Sequence, residues 1–88
     1  MKDFDWNDEK NIELKKTRNI SFEEVVFHIG NNDLLDVIAH PKTEKYPNQK
    51  IFIVAINDYT HYVPFVENET NYFLKTIIPS RKLNKKYK

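Results

Sequence analysis

The spacing of apolar residues changes along the chain, and each change marks an element. Asp3 to Trp6 alternates polar and aromatic, the pattern of a short edge strand. Asn7 then caps a helix that opens with Asp8 and Glu9, acids suited to the positive end of a helix dipole. This helix is predicted to run to about Arg18. Its apolar stripe is thin, because Trp6, Lys10, Leu14 and Arg18 share one face, so it reads as mostly a surface helix.

The next stretch, "SFEEVVFHI", carries a stronger signal. Ser21 and Glu24 have the spacing of a capping box, and Phe22, Val25, Val26 and Ile29 fall at i, i+3, i+4 and i+7. Gly30, Asn31 and Asn32 form a stop signal. Leu34 to His40 reads as a strand, ended by Pro41 and a polar loop through Gln49.

From there the period is that of a meander. Ile51 to Ile56 is continuously apolar, hence a central strand covered on both faces. Asn57-Asp58 is a tight turn. Tyr59 to Val66 returns, with Tyr59, His61, Val63 and Phe65 on one face and Thr60, Tyr62, Pro64 and Val66 on the other. Pro64 removes a ladder N–H and predicts a bulge or an unpaired side at that point. Glu67 to Thr70 turns, Asn71 to Ile78 makes the last strand, and a short helix begins near Ser80. The expected fold class is α+β: one domain over residues 1–88, with helices packed on a four-stranded antiparallel sheet and a short C-terminal helix.

Composition narrows the function classes. Forty per cent apolar and 14% aromatic residues exclude a disordered chain. There is no cysteine, so disulfides and thiolate metal ligands are excluded, which fits a reducing compartment. A single glycine leaves no phosphate-cradling loop, setting aside nucleotide-hydrolysing and dinucleotide-binding folds. The three histidines are too scattered for a metal motif, and no cofactor is expected. The acidic, polar N-terminus does not resemble a signal peptide, and no apolar run approaches the ~20 residues of a membrane helix. The expected location is the cytoplasm.

Charge is unevenly spread. Lys75 to Lys88 holds six of the 14 basic residues and none of the 13 acids, so the preceding 74 residues carry eight bases against all 13 acids. Such a tail is either a solvated end or a phosphate-contacting surface.

Trp6, Lys10 and the block Ile20-Ser21-Phe22-Glu23-Glu24 resemble the signature of the BrnT family, toxins of type II toxin–antitoxin pairs with a RelE-like fold. Thr76-Ile77-Ile78-Pro79-Ser80-Arg81 is similar to that family's last strand. The resemblance spans nearly the whole chain and is loose between Asn31 and Asn71. Leu14 replaces the family's Asn, and Thr17, Arg18 and Asn19 replace its Lys, His and Gly. Thr76 replaces the strand arginine, with Lys75 beside it as a substitute.

The resemblance implies a RelE-like toxin that cleaves mRNA without a metal. It also implies a cognate antitoxin partner of ribbon–helix–helix type, through which any DNA contact would be made, and no membrane contact.

Such cleavage needs a base for the 2′-hydroxyl, an acid for the leaving oxygen and fixed positive charge on the phosphorane. Arg81 is the first candidate for the phosphate, because its planar fork binds two oxygens. Lys75 supports it. His61 is the first candidate base, and His40, before Pro41, the second; His28 is taken as structural. Lys10, Lys50, Lys82 and Lys85 are candidate substrate contacts, and Tyr62 a stacking surface, as are Trp6 and Tyr72. Glu23 and Glu24 are explained by helix capping. Two other readings stand beside this one: a non-catalytic RNA- or ribosome-binding module, and a protein-interaction domain with a solvated tail.

Overall fold

A computed structural model describes residues 2–87. Its elements are β1 (Asp3–Trp6), α1 (Asp8–Arg18), α2 (Phe22–Gly30), β2 (Leu34–Ala39), β3 (Gln49–Ile56), β4 (Tyr59–Glu67), β5 (Asn71–Leu74), β6 (Ile78–Pro79) and α3 (Arg81–Tyr87). The class is α+β, with three helices on an open sheet. Lys88, counted in the basic run, lies outside the described residues. Among the described residues no helix is long and apolar enough to cross a membrane.

The sheet has six strands in place of the four expected, in the order β1-β5-β4-β3-β2, with β6 beside β4. The first strand joins it in parallel, Asp3 opposite Asn71 and Trp6 opposite Leu74. A parallel partner at the far end of the chain leaves no local turn signal, which is why alternation alone predicted only an edge strand. The single last strand expected over Asn71 to Ile78 is broken. Phe65 pairs with Leu74 but Tyr62 pairs with Ile78, so Val63 and Pro64 face three residues, Lys75 to Ile77. Pro64 presents a carbonyl but no N–H on that side. It accepts the Lys75 N–H at 2.8 Å, and the ladder slips by one residue there.

Capping follows the sequence signals. The Asn7 side chain accepts the Lys10 N–H, and Ser21 accepts the Glu24 N–H at 3.2 Å. Gly30 is the last residue of α2; the left-handed residue after it is Asn32, at φ 65°. The β3–β4 hairpin closes through Asn57 and Asp58, both at positive φ, between the paired residues Ile56 and Tyr59. Two left-handed residues in a two-residue loop match the right-handed twist of the strands.

Alternation along the central strands separates two apolar layers. Phe52, Val54 and Ile56 of β3 and Val63 and Phe65 of β4 join Leu14, Ile20, Phe22, Val25 and Ile29 from the α1–α2 side. Phe52 and Phe65 stack at 3.8 Å, with the Tyr72 ring edge-on to both. Ile51 and Ile53 are also buried, on the opposite face. There α3 covers part of the sheet: Leu83 lies with Ile53 and Tyr62, and the Thr60 N–H and hydroxyl donate to Asn84 Oδ1 at 3.0 and 3.2 Å. The basic C-terminal segment is therefore docked on the sheet through its helix.

Candidate functional site

The face opposite α1 and α2 carries a groove of about 480 Å³. Its floor is aliphatic, from Ile38 of β2, Ile51 and Ile53 of β3 and Ile78 of β6, with Tyr62 and Pro64 contributed by β4. The chain leaving β2 forms one wall through His40, Pro41 and Lys42. Ser80 and Leu83, at the start of α3, form the other. No carboxylate is among these lining residues.

Two polar side chains of the groove, His40 and Ser80, have defined hydrogen-bond partners. The Lys42 N–H donates to His40 Nδ1 at 3.0 Å, which assigns the proton of the neutral ring to Nε2. The His40 ring also rests against Tyr46, centroids 4.6 Å apart. Ser80 caps α3: its Oγ accepts the Leu83 N–H at 3.2 Å, and its own N–H donates to the Thr60 carbonyl at 3.0 Å. With Leu83 and Asn84 turned to the sheet, the helical period sets Lys82 on the Leu83 side and Arg81 and Lys85 on the Asn84 side. Arg81, Lys82 and Lys85 are all exposed.

Tyr62 and His40, the second candidate base, both line this groove, and α3 borders it through Leu83, while Arg81, Lys82 and Lys85 are not among its lining residues. The structure does not bring His61 there. His61 shares the buried face with Val63 and Phe65 and is 9% exposed. Its Nδ1–H donates to the Tyr59 carbonyl at 2.9 Å, leaving Nε2 as acceptor. Burial holds its pKa below the ordinary histidine value, against the raising effects of that bond and of Glu24; His28 lowers it further.

The other candidates stand apart. Lys10 Nζ is 3.7 Å from Glu13 on its own helix. Lys50 lies in a separate shallow cleft, where Glu67 is flanked by Lys2 at 2.6 Å and Lys50 at 3.5 Å. The Lys2 hydrogen bond is the main cause of a lowered Glu67 pKa. Lys75 is exposed at the break between β5 and β6, its Nζ 5.5 Å above the Phe73 ring. Trp6 stacks on Phe22, and Tyr72 sets its ring edge-on to the Phe52–Phe65 pair, so both pack within the protein.

Sequence reasoning missed Lys42 and Ser80 as groove residues. Ser80 carried a readable signal, a serine opening a helix; Lys42 carried none, because only the course of the loop after Pro41 brings it to the wall. Also missed was the pair between His28 Nδ1 and Asp33 at 2.8 Å, which closes the turn between α2 and β2. Among the described residues no cluster of three metal-ligating side chains occurs. Comparison with models of protein families, with curated proteins and with solved structures finds no match to this chain.

Proposed function

We propose that this chain binds single-stranded RNA across the groove and acts as the metal-independent endoribonuclease toxin of a toxin–antitoxin pair. The observation that supports the reading is the convergence of Tyr62, His40, Lys42 and Ser80 in one groove bordered by the basic helix α3, with no acid among the lining residues. Exposed Arg81, Lys82 and Lys85 supply phosphate contacts, and Tyr62 an aromatic face for a base. With Nδ1 engaged by the Lys42 N–H, His40 offers its Nε2–H as a donor to the RNA held in the groove. In this reading a ribbon–helix–helix antitoxin silences the toxin by covering the basic face, and contact with operator DNA belongs to that partner.

The test is incubation of labelled single-stranded RNA with the protein in EDTA, beside His40→Ala and Arg81→Ala. Products ending in 2′,3′-cyclic phosphate that either substitution abolishes support a nuclease centred on the groove. Intact RNA in a mixture where the protein is bound rejects cleavage.

A second reading, an RNA-binding module without cleavage, is favoured by one observation. The groove histidine holds its Nδ1 against a main-chain N–H, so its neutral ring has no free acceptor to serve as a base. His61 has the acceptor but lies on the other face of the sheet.

A further inference from the structure

The polar groups of the groove have one property in common: they donate. His40 accepts on Nδ1 from the Lys42 N–H, so its remaining polar atom is the Nε2–H. Ser80 Oγ is already an acceptor for the Leu83 N–H, which leaves its hydroxyl proton to give. Lys42 ends in an ammonium with three donors and no acceptor. Tyr62, and Ser80 through its second lone pair, can also accept. Among the described residues no carboxylate or amide side chain lines the groove to accept in return.

The walls decide which part of a nucleotide enters. Aliphatic side chains give no compensation to a desolvated phosphate, so the phosphate stays outside with the cations of α3. A nucleobase has apolar faces and a polar rim, and about 480 Å³ lies in the range of small-ligand pockets. Tyr62 offers a ring for stacking, while the aliphatic floor covers the other face. A base held in a duplex cannot reach such a pocket; an unstacked one can.

We infer that the groove is a base pocket that takes one unstacked keto base, guanine or uracil, from single-stranded RNA; this rests on the RNA-binding reading above. Guanine presents O6 and N7, and uracil presents O4, all acceptors that meet the donors of the groove. Adenine and cytosine present an exocyclic amino group there, setting donor against donor. An unmet buried donor is disfavoured, and that mismatch is the source of the selectivity.

The experiment measures fluorescence anisotropy with five labelled cytidine heptamers whose central position is guanine, uracil, adenine, cytosine or abasic. Central guanine or uracil is expected to bind roughly tenfold tighter than central adenine or cytosine, the effect of one good hydrogen bond. The abasic strand should bind no better than the weak pair. Tyr62→Ala should erase the preference while keeping salt-dependent binding, and Tyr62→Phe should retain most of it, which separates stacking from a folding defect. Equal affinity for all five strands overturns the base pocket and leaves RNA binding standing. Preference for adenine or cytosine overturns the donor assignment. Failure of every strand to bind at low salt removes the RNA-binding reading and this inference with it.

Discussion

His61 donates its Nδ1–H to the main-chain carbonyl of Tyr59, two residues back on the same strand, at 2.9 Å. The bond fixes the tautomer and ties a 9% exposed imidazole to the layer beneath α2. From α2, Glu24 and His28 act on it electrostatically, in opposite directions. A neutral ring suits this position and a charged one does not.

Stability should therefore fall in mild acid. The folded-state pKa of His61 lies below the ordinary histidine value of about 6.5, with burial as the main cause. The unfolded chain thus binds the proton more readily, and the contribution of His61 is intact above that value. It is lost as pH drops from there toward the folded-state pKa. Melting temperatures measured between pH 7.5 and 5 should decline more for the native chain than for His61→Gln, which keeps a donor for Tyr59 without titrating. Parallel declines would reject the assignment.

Asn11 should be the most sensitive polar residue of the helical layer. It is 6% exposed, its Nδ2 donates to Glu23 and its Oδ1 accepts the Phe22 N–H at 2.8 Å. Asn11→Ala orphans that buried N–H and should cost about 1–3 kcal/mol in urea unfolding. The bond from Asn11 Nδ2 is the main cause of the lowered Glu23 pKa.

Asn84→Ala should loosen α3 without unfolding the sheet. Thr60 loses the acceptor for both its N–H and its hydroxyl. Amide exchange should accelerate across Arg81 to Tyr87 while β3 stays protected, and RNA affinity should fall with it. A uniform acceleration over the whole chain would contradict local docking.

Asp58→Gly should stabilise the protein by roughly 0.5–1 kcal/mol. Asp58 sits at φ 63° in the β3–β4 turn, a conformation in which glycine escapes the steric penalty of a Cβ. Urea midpoints of the two proteins measure it.

Lys82→Ala should weaken RNA binding evenly across base sequences. Losing one phosphate contact flattens the slope of log affinity against log salt by about 0.7 for a single strand. Arg81, on the other flank of α3, should lower the slope independently. Unchanged slopes for both variants would remove α3 from the RNA contact.

Local signals were legible where one residue type has one cheap solution. Ser21 with Glu24, Asn57 with Asp58, and Pro64 in the middle of a strand each marked a feature found at that position. Pairings between distant residues were not legible. Nothing near Asp3 indicates Asn71 as a parallel neighbour, and His28 meets Asp33 only because Asn32 turns the chain. The stop signal Gly30-Asn31-Asn32 was legible as well, since α2 ends at Gly30, with Asn32 supplying the left-handed residue. The groove was half visible. Tyr62 and the α3 cations stood out by type, but the donor role of His40 depends on a main-chain N–H two residues on, which no side-chain pattern encodes.

The alternation of β3 has an evolutionary consequence. Phe52, Val54 and Ile56 belong to the helical core, whereas Ile51 and Ile53 floor the groove, so the sheet acts as a partition between what holds the protein together and what it touches. Changes at His40, Tyr62 or Ser80 do not have to pass through the packed layer. Ligand preference can then drift under selection while the scaffold stays constant, so divergence should run faster on the groove side than beneath α1 and α2.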